Sequence, residues 1–277
     1  MKINPRSVLS RPTAAHAIAV ALAAVFLPPA GLADTLYWDN AGGTANDWQS
    51  LANWSTVIGG GTDPANLPTN ADIAEFSATS VATPQTVNLN LDVSVAGLAF
   101  TSTQTHALLG GDANHVLTLG AGGITKTGTG AVTIGSATAG QQVAIALDAD
   151  QTWSNNDNTT ALTSLNGIGP STAVNRILTL GGTSTAANTV GGIIADNGAG
   201  VLSLVKSGTG TWALANTGNT YTGGLTSNAN SGTVTAAVTT GANASGLGTG
   251  AVSTGAGPTL NLLSANTGAA TTTPNHT

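Results

Sequence analysis

Three carboxylates that lie close together in the sequence are the strongest candidates for chemistry. Asp148, Asp150 and Asp157 fall within the segment DADQTWSNNDN. Paired carboxylates can act as acid and base on a glycosidic bond, and several together can hold Ca²⁺. The spacing is not that of a calcium-binding loop, because no Gly or terminal Glu follows in register. We therefore interpret the segment as a polar loop whose Asx side chains hydrogen-bond the backbone.

Two lysines occupy the same place in two similar segments. Residues 124–136 read ITKTGTGAVTIGS, and residues 204–216 read LVKSGTGTWALAN. A lysine could serve as a catalytic base or a phosphate contact. Its recurrence in a repeat favours a structural role instead, with Lys126 and Lys206 as solvated charges beside glycine corners that discourage edge pairing. The glycines that follow them in the two repeats are Gly128, Gly130, Gly208 and Gly210.

No other catalytic constellation is recognisable. His106, His115 and His276 have no Ser, Cys or paired acid at a telling spacing, and the GxSxG, Walker and HExxH patterns are absent. The sequence contains no Cys, which excludes disulfides, zinc–thiolate sites and iron–sulfur clusters. We therefore predict that the protein is not an enzyme and uses neither a cofactor nor a metal.

The charge composition excludes nucleic-acid binding. Charged residues make up only 6% of the 277 residues, against about 25% in an average globular protein. From Asp34 onward the only basic residues are Lys126, Arg176 and Lys206, whereas all twelve acidic residues lie in that part of the chain. A nucleic-acid binder needs a basic stripe that neutralises phosphates, and three scattered cations cannot form one.

The amino-terminal segment has the three parts of a secretory signal peptide. Lys2, Arg6 and Arg11 precede the apolar run 14–27, and Gly31-Leu32-Ala33 supplies small residues for cleavage. We predict that residues 1–33 engage the secretion machinery and are removed after Ala33. No later segment is long and apolar enough to span a membrane as a helix. The expected location is the cell exterior or the bacterial cell surface.

Residues 34–80 differ from the rest of the chain. They contain Tyr37, Trp38, Trp48, Trp54 and Phe76 among many Asp and Asn residues. One interpretation is a lectin-like surface on which exposed Trp side chains stack against sugar. We favour a cap that covers the first open edge of a sheet, as solenoids require.

Residues 81–264 predict an all-β repeat structure. From Val87 apolar and polar residues alternate with a period of two, and short strand-like runs then recur between Gly, Asn and Thr clusters. Because each repeat must bury its neighbour, the units are expected to stack as a solenoid. At roughly 20–25 residues per coil the chain would form about ten coils. A two-sheet sandwich is the competing architecture. Residues 265–277 form a polar tail.

Residues 204–226 closely resemble the autotransporter-associated β-strand repeat. The matching positions are Lys206, Gly208, Gly210, Trp212, Leu214, Tyr221 and Gly223. Residues 124–136 match only the first half of this motif, and both the WDN…ANW…ADIAEF block and residues 246–264 resemble further parts of such proteins. The resemblance implies a right-handed parallel β-helix of the kind found in passenger regions of exported bacterial surface proteins. The end of the chain has no recognisable membrane anchor, so we expect a chain that is truncated or freely secreted.

Two functional hypotheses follow. The first is a non-enzymatic, exported β-helix module for surface display, transport or adhesion, whose partner would be a surface polysaccharide or a neighbouring cell. The second is a secreted β-helix that binds or cleaves carbohydrate, which convergent acids or exposed coplanar Trp side chains would favour.

Trp212 is predicted to be core, because the equivalent residues Val132 and Ile134 are apolar and alternate side chains share a face. Thr-x-Thr pairs at 127/129 and 233/235 suggest an ice-facing array, but they do not recur at one coil period.

Overall fold

The chain forms β-structure throughout the part that can be described. A computed structural model describes residues 34–42, 46–77, 81–239 and 245–264, so the predicted signal peptide and the polar tail lie outside the described residues. One 3₁₀ turn, Leu51–Asn53, accompanies the strands. The strands are β1 (Thr35–Trp38), β2 (Trp54–Ser55), β3 (Ile73–Phe76), β4 (Gln85–Leu89), β5 (Val93–Phe100), β6 (His106–Gly110), β7 (His115–Lys126), β8 (Val132–Ile134), β9 (Val143–Leu147), β10 (Gln151–Asn155), β11 (Leu162–Ser164), β12 (Ile168–Pro170), β13 (Arg176–Gly182), β14 (Asn188–Val190), β15 (Leu202–Lys206), β16 (Trp212–Leu214), β17 (Leu225–Ser227), β18 (Thr233–Val238), β19 (Val252–Thr254) and β20 (Thr259–Ser264).

The strands stack in two parallel sheets, which confirms the predicted all-β, parallel β-helix. The first sheet runs β19-β17-β15-β13-β10-β7-β5-β3-β1-β2, with β9 and β12 attached beside β7. The second runs β20-β18-β16-β14-β11-β8-β6-β4. From β3 to β17 in the first order and from β6 to β18 in the second, each strand therefore pairs with the strand one turn earlier and the strand one turn later, as a solenoid requires.

The solenoid has about 7 turns, fewer than the ten expected. Each turn takes more residues than the short strands suggest, because the corners are long. Hydrogen bonds between successive turns join residues such as Asp196 and Thr222, which are 26 positions apart, and Asn158 and Thr185, which are 27 apart.

The core is a column of apolar side chains between the sheets. In the three-residue strands β8 and β16 the outer two side chains are buried and the middle one faces outward. This alternation follows from the strand period of two. The strand β7 is long enough to bend, and its first half pairs with β9 while its second half pairs with β10. The first half of β7, β9 and β12 therefore form a third face, in the middle turns of the described solenoid.

An aromatic cluster closes the amino-terminal end. Strand β2 runs antiparallel to β1 at the edge of the first sheet, with Trp38 opposite Trp54. The ring centroids of these two residues are 5.2 Å apart, and those of Trp48 and Trp54 are 4.7 Å apart. All three indoles are at most 1% exposed. The lectin-like interpretation of this segment is therefore wrong, because no face of these rings is available for sugar.

Within the described ranges, no helix has the length and apolarity that a membrane crossing requires.

Candidate functional site

Lys126 is the centre of the most polar cluster in the core. Its side chain is fully buried, and Nζ donates to Asp157 Oδ2 (2.9 Å), Thr160 Oγ1 (2.8 Å) and the Gly128 carbonyl (2.7 Å). Asp157 also accepts hydrogen bonds from the backbone and hydroxyl groups of Thr159 and Thr160. The solvated charge predicted for Lys126 is therefore wrong. The amine is an internal cross-link between two successive turns.

The cluster holds Asp157 in its ionised form. Burial alone would raise the pKa of this carboxyl, but the hydrogen bonds from Lys126, Thr159 and Thr160 together lower it well below its usual range. An ionised carboxylate that is saturated with donors is not a general acid. It is also closed to solvent, since the residue is only 7% exposed.

Lys206 occupies the equivalent position three turns later but has no acidic partner. It is fully buried, and Nζ donates to the carbonyls of Ser207 (2.5 Å) and Gly208 (2.8 Å). Its solvated-charge prediction is wrong as well. Burial lowers the pKa of this amine to about 8. Lys206 is thus a buried cation that no carboxylate compensates.

The register explains the difference between the two lysines. Lys126 pairs with Asn155 on the next turn, and Asp157 follows two residues later. Lys206 pairs with Ser227 on the next turn, and the residue two positions later is Ala229. The acid that neutralises the first lysine is therefore replaced by a methyl group at the second.

The motif glycines permit close approach between turns. A Cβ at Gly128 or Gly130 would collide with the carbonyl oxygens of Ser102 or Gln104 on the preceding turn. At Gly210 it would lie 2.6 Å from Ser184 O, and at Gly223 it would collide with the side chain of Ser203. Among the five motif glycines only Gly208 has a positive φ, of 62°. The left-handed backbone therefore requires glycine at Gly208, whereas close contact with a neighbouring turn requires it at the other four positions.

The apolar motif residues are core. Trp212 is fully buried, and its Nε1 donates to Gly181 O at 2.9 Å. Leu214 is fully buried, and Val132 and Ile134 in the earlier repeat are at most 2% exposed. The predicted inward orientation of these four residues is confirmed. Tyr221 is also fully buried, which raises the pKa of its phenol, and its hydroxyl has no hydrogen-bond partner among the described residues.

The candidate carboxylates do not converge. Asp148 Oδ1 accepts from the Ser171 hydroxyl (2.7 Å), and Asp150 Oδ1 accepts from the Ile177 amide (2.8 Å). Asp157 is committed to Lys126 instead. Each acid therefore ties its own turn to another one: Asp148 through a hydroxyl, Asp150 through a backbone amide, and Asp157 through the Lys126 amine. The predicted backbone hydrogen bonds are present for Asp150 and Asp157, but the segment is not one loop, because Gln151–Asn155 form β10.

Side-chain hydrogen bonds between successive turns also occur elsewhere on the solenoid. Asp92 Oδ1 accepts from the Val116 amide, and Asp196 Oδ2 accepts from the Thr222 hydroxyl, 24 and 26 residues later. Inside the core, Asn155 Nδ2 donates to Asn188 Oδ1 (2.6 Å), which also accepts from the Leu162 amide. Sequence reasoning missed this buried ladder, because nothing in the spacing of two asparagines 33 residues apart indicates that they meet.

His115 lies between two carboxylates on the lateral surface. Its Nε2 is 2.7 Å from Asp112 Oδ1, and its Nδ1 is 3.3 Å from Asp92 Oδ1. These acids raise the pKa of the imidazole, and the hydrogen bond with His115 lowers the pKa of Asp112. The two ring nitrogens point at different acids, so the three groups cannot share one ion. In the described part of the chain, no group of three or more His, Asp or Glu side chains is placed to hold a metal.

A shallow groove of about 390 Å³ begins at His115. Its outward side chains include Val116, Ala144 and Ile193, with Gly167 between them. Backbone amides along its edge are already hydrogen-bonded within the protein: those of Ser136 and Val143 donate to Asn166 Oδ1. The groove thus offers an aliphatic floor and few free polar groups.

The outward face of the second sheet carries a column of threonines. Successive cross-strand partners on this face are Thr86, Ala107, Thr133, Thr163, Thr189, Ala213, Thr235 and Asn261. None of the eight strands contains Asp, Glu, Lys or Arg. Single threonines therefore recur at one coil period on this face. The Thr-x-Thr pairs do not recur, as the sequence interpretation had it.

Comparison with known proteins gives no further guide. No protein-family model, no curated protein and no solved structure matches this chain.

Proposed function

We propose that this protein is a non-enzymatic, exported β-helix module that serves as a scaffold on or outside a bacterial cell, for display, transport or adhesion. The single observation that carries the proposal is that its lysine and carboxylate side chains are engaged in internal hydrogen bonds. The lysines of both repeats are buried, and the three candidate acids each hold neighbouring turns together. Side chains that are engaged in internal contacts cannot act on a substrate, so such a chain is suited to a scaffold role rather than to catalysis.

Two further features support the same proposal. The amino-terminal pattern of charged, apolar and small residues is typical of an export signal. The likeness of residues 204–226 to the autotransporter-associated repeat points to exported surface proteins. A solenoid without cysteines is also suited to a role outside the cell, because its stability does not depend on redox conditions.

The features that would favour carbohydrate recognition are not found in the described residues. All five tryptophans are buried, so none forms an exposed platform for a sugar ring. The acids are dispersed along the solenoid, and the lateral groove has mainly aliphatic walls.

Expression in a bacterial host with fractionation tests the proposal. We expect the chain outside the cytoplasm, beginning at Asp34, and no product release from pectin, alginate or xylan beyond a boiled control. A cytoplasmic protein that retains Met1 would refute export. Polysaccharide cleavage that is lost in Asp148→Ala or Asp150→Ala would refute the non-enzymatic role.

The threonine column favours a second candidate function, the binding of a flat, uncharged lattice such as ice. Parallel strands place equivalent side chains about 4.8 Å apart, so Thr133, Thr163 and Thr189 present three consecutive pairs of hydroxyl and methyl groups on this face. The hydroxyl of Thr189 donates to the Ala187 carbonyl, whereas the hydroxyls of Thr133 and Thr163 make no hydrogen bond to another described residue.

Ice affinity and thermal hysteresis measure this second function directly. Thr163→Lys, at the centre of the column, is expected to abolish any activity because a charge interrupts the lattice. Thr226→Lys, an exposed position on the other sheet, is the matched control and is expected to leave it unchanged. Absence of ice affinity in the parent chain would reject this candidate without affecting the scaffold proposal.

A further inference from the structure

The corners that follow β10 and β17 are equivalent position by position. Residues 155–162 form the first corner, and their two ends pair with Lys126 and with the first residue of β8. Residues 227–234 form the second corner, and their two ends pair with Lys206 and with the first residue of β16. Both corners therefore have the same length, and each lies beside the motif lysine of the preceding turn.

The second corner keeps a hydroxyl whose acceptor in the first corner has been replaced. Ser231 stands where the first corner has Thr159, and Ala229 stands where it has Asp157. The Thr159 hydroxyl donates to the two carboxylate oxygens of Asp157, at 2.8 and 3.0 Å. The Ser231 hydroxyl is buried and has no hydrogen-bond partner among the described residues. Because an unpaired buried hydroxyl destabilises a fold, this position favours an added acceptor.

Lys206 is a second donor at this corner that is not fully satisfied. Its side chain is fully buried, and Nζ donates to two backbone carbonyls, whereas an ammonium group has three N–H donors. In the first corner an ammonium and a hydroxyl together hold the Asp157 carboxylate. The second corner retains both kinds of donor around a position where the carboxylate is replaced by a methyl group.

We propose that Lys206 and Ser231 hold a small monovalent anion taken up from solution, in the position that the Asp157 carboxylate occupies in the first repeat. Ala229 is exposed, so the second corner is open to solvent at the point where buried Asp157 closes the first. Ala229 differs from an aspartate by one carboxyl group, which limits the ligand to an anion of about that size, such as chloride.

An anion suits this corner better than a water molecule does. Water would accept from both donors, but it would leave the charge of Lys206 uncompensated. Burial lowers the pKa of this amine to about 8, so most of it is charged at pH 7. From residue 207 to residue 264 the chain contains no Asp or Glu that could neutralise it.

A salt titration of the full chain at pH 7 tests the proposal. Sodium gluconate is replaced by sodium chloride at constant sodium, because gluconate is too large for a site of carboxyl size. A ligand that binds only the folded state raises the melting temperature. We expect a saturable rise of about 2 °C or more in the parent chain, accompanied by broadening of the chloride NMR signal. Lys206→Met should lose both responses.

Ala229→Asp supplies the anion within the chain. It should raise the melting temperature in gluconate and abolish the response to chloride, because its carboxylate would meet Lys206 as Asp157 meets Lys126. Ala229→Asn is the matched control, since it adds a side chain of the same size without the charge, and it should give no such rise. Thr226→Ala changes an exposed residue of β17 and should keep the chloride response of the parent.

Three results would overturn the proposal. They are a parent chain that responds to chloride no more than Lys206→Met does, an Ala229→Asp variant that keeps the full response, and an equal rise in Ala229→Asp and Ala229→Asn. Circular dichroism shows whether each variant is folded. If Lys206→Met or Ala229→Asp does not fold, Ser231→Ala decides, because it removes only the uncharged donor. It should weaken chloride binding several-fold, and unchanged binding would also overturn the proposal.

Discussion

Lys126 and Asp157 lie 31 residues apart in the sequence, and their side chains meet at 2.9 Å between Nζ and Oδ2 inside the solenoid. The pair connects β7 to the corner that follows β10 on the next turn. A buried pair of this kind has a large cost when one member is removed, because the other charge is left without compensation. Lys206, the equivalent lysine of the second repeat, is buried without a counter-charge, so the folded protein already bears that free-energy cost.

Asp157→Asn should destabilise the protein by about 3–5 kcal/mol, since Lys126 would remain buried without its counter-charge. Chemical denaturation followed by circular dichroism measures this difference. Asp150→Asn is the control, because Asp150 contacts only the exposed Ile177 amide and the change should cost less than about 1 kcal/mol. Equal effects of the two substitutions would contradict the role assigned to the pair.

Lys126→Met and Lys206→Met should have opposite effects at neutral pH. The first leaves Asp157 buried and unpaired, so the melting temperature should fall. The second removes an uncompensated buried cation and replaces it with an apolar side chain of similar length, so the melting temperature should rise. A fall in both variants would show that the Lys206 amine stabilises the fold through its two carbonyl contacts.

The stability of the parent chain should rise with pH above about 8 because of Lys206. Its pKa is about 8 in the folded state and near 10.5 when unfolded, so below pH 8 both states bind the proton and the full penalty is present. Between these values the unfolded state binds more protons, and stability increases. The advantage of Lys206→Met should therefore shrink across this window in thermal melts. A difference that is constant from pH 7 to 10.5 would exclude the assigned titration.

Trp212→Ala should cost about 3–5 kcal/mol, because a fully buried indole and its hydrogen bond to Gly181 O are lost. In a stack with nearest-neighbour contacts the adjacent turns should open first, which hydrogen exchange can resolve. Ile177→Ala is the control at an exposed position, 42% accessible, and should change the melt little. An unchanged melt for Trp212→Ala would contradict its core assignment.

Gly130→Ala should destabilise the protein by about 1–3 kcal/mol, because the added methyl group would collide with the Gln104 carbonyl on the preceding turn. Gly167→Ala is the matched control. A Cβ there would have Ile193 O, at 3.7 Å, as its nearest neighbour, and the backbone needs no positive φ. That change should be neutral or slightly stabilising, and thermal melts of the two variants compare them directly.

The sequence by itself determined the local features of this protein. Alternation with a period of two predicts which side chains of a strand share a face, so the inward orientation of Trp212, Leu214, Val132 and Ile134 followed from their spacing alone. Repetition of one strand–glycine–strand unit predicted a stack, because a single unit cannot bury its own apolar face.

Only the tertiary structure decided how the turns align. Corners vary in length, so the register between turns is not a fixed number of residues. That register places Asp157 beside Lys126 but Ala229 near Lys206, and it brings Asn155 to Asn188. It also aligns the outward threonines of the second sheet into one column. The alternation of side chains along a strand determines which of them share a face, and it can be read from the sequence. Contacts between turns depend instead on the summed geometry of every corner that separates them.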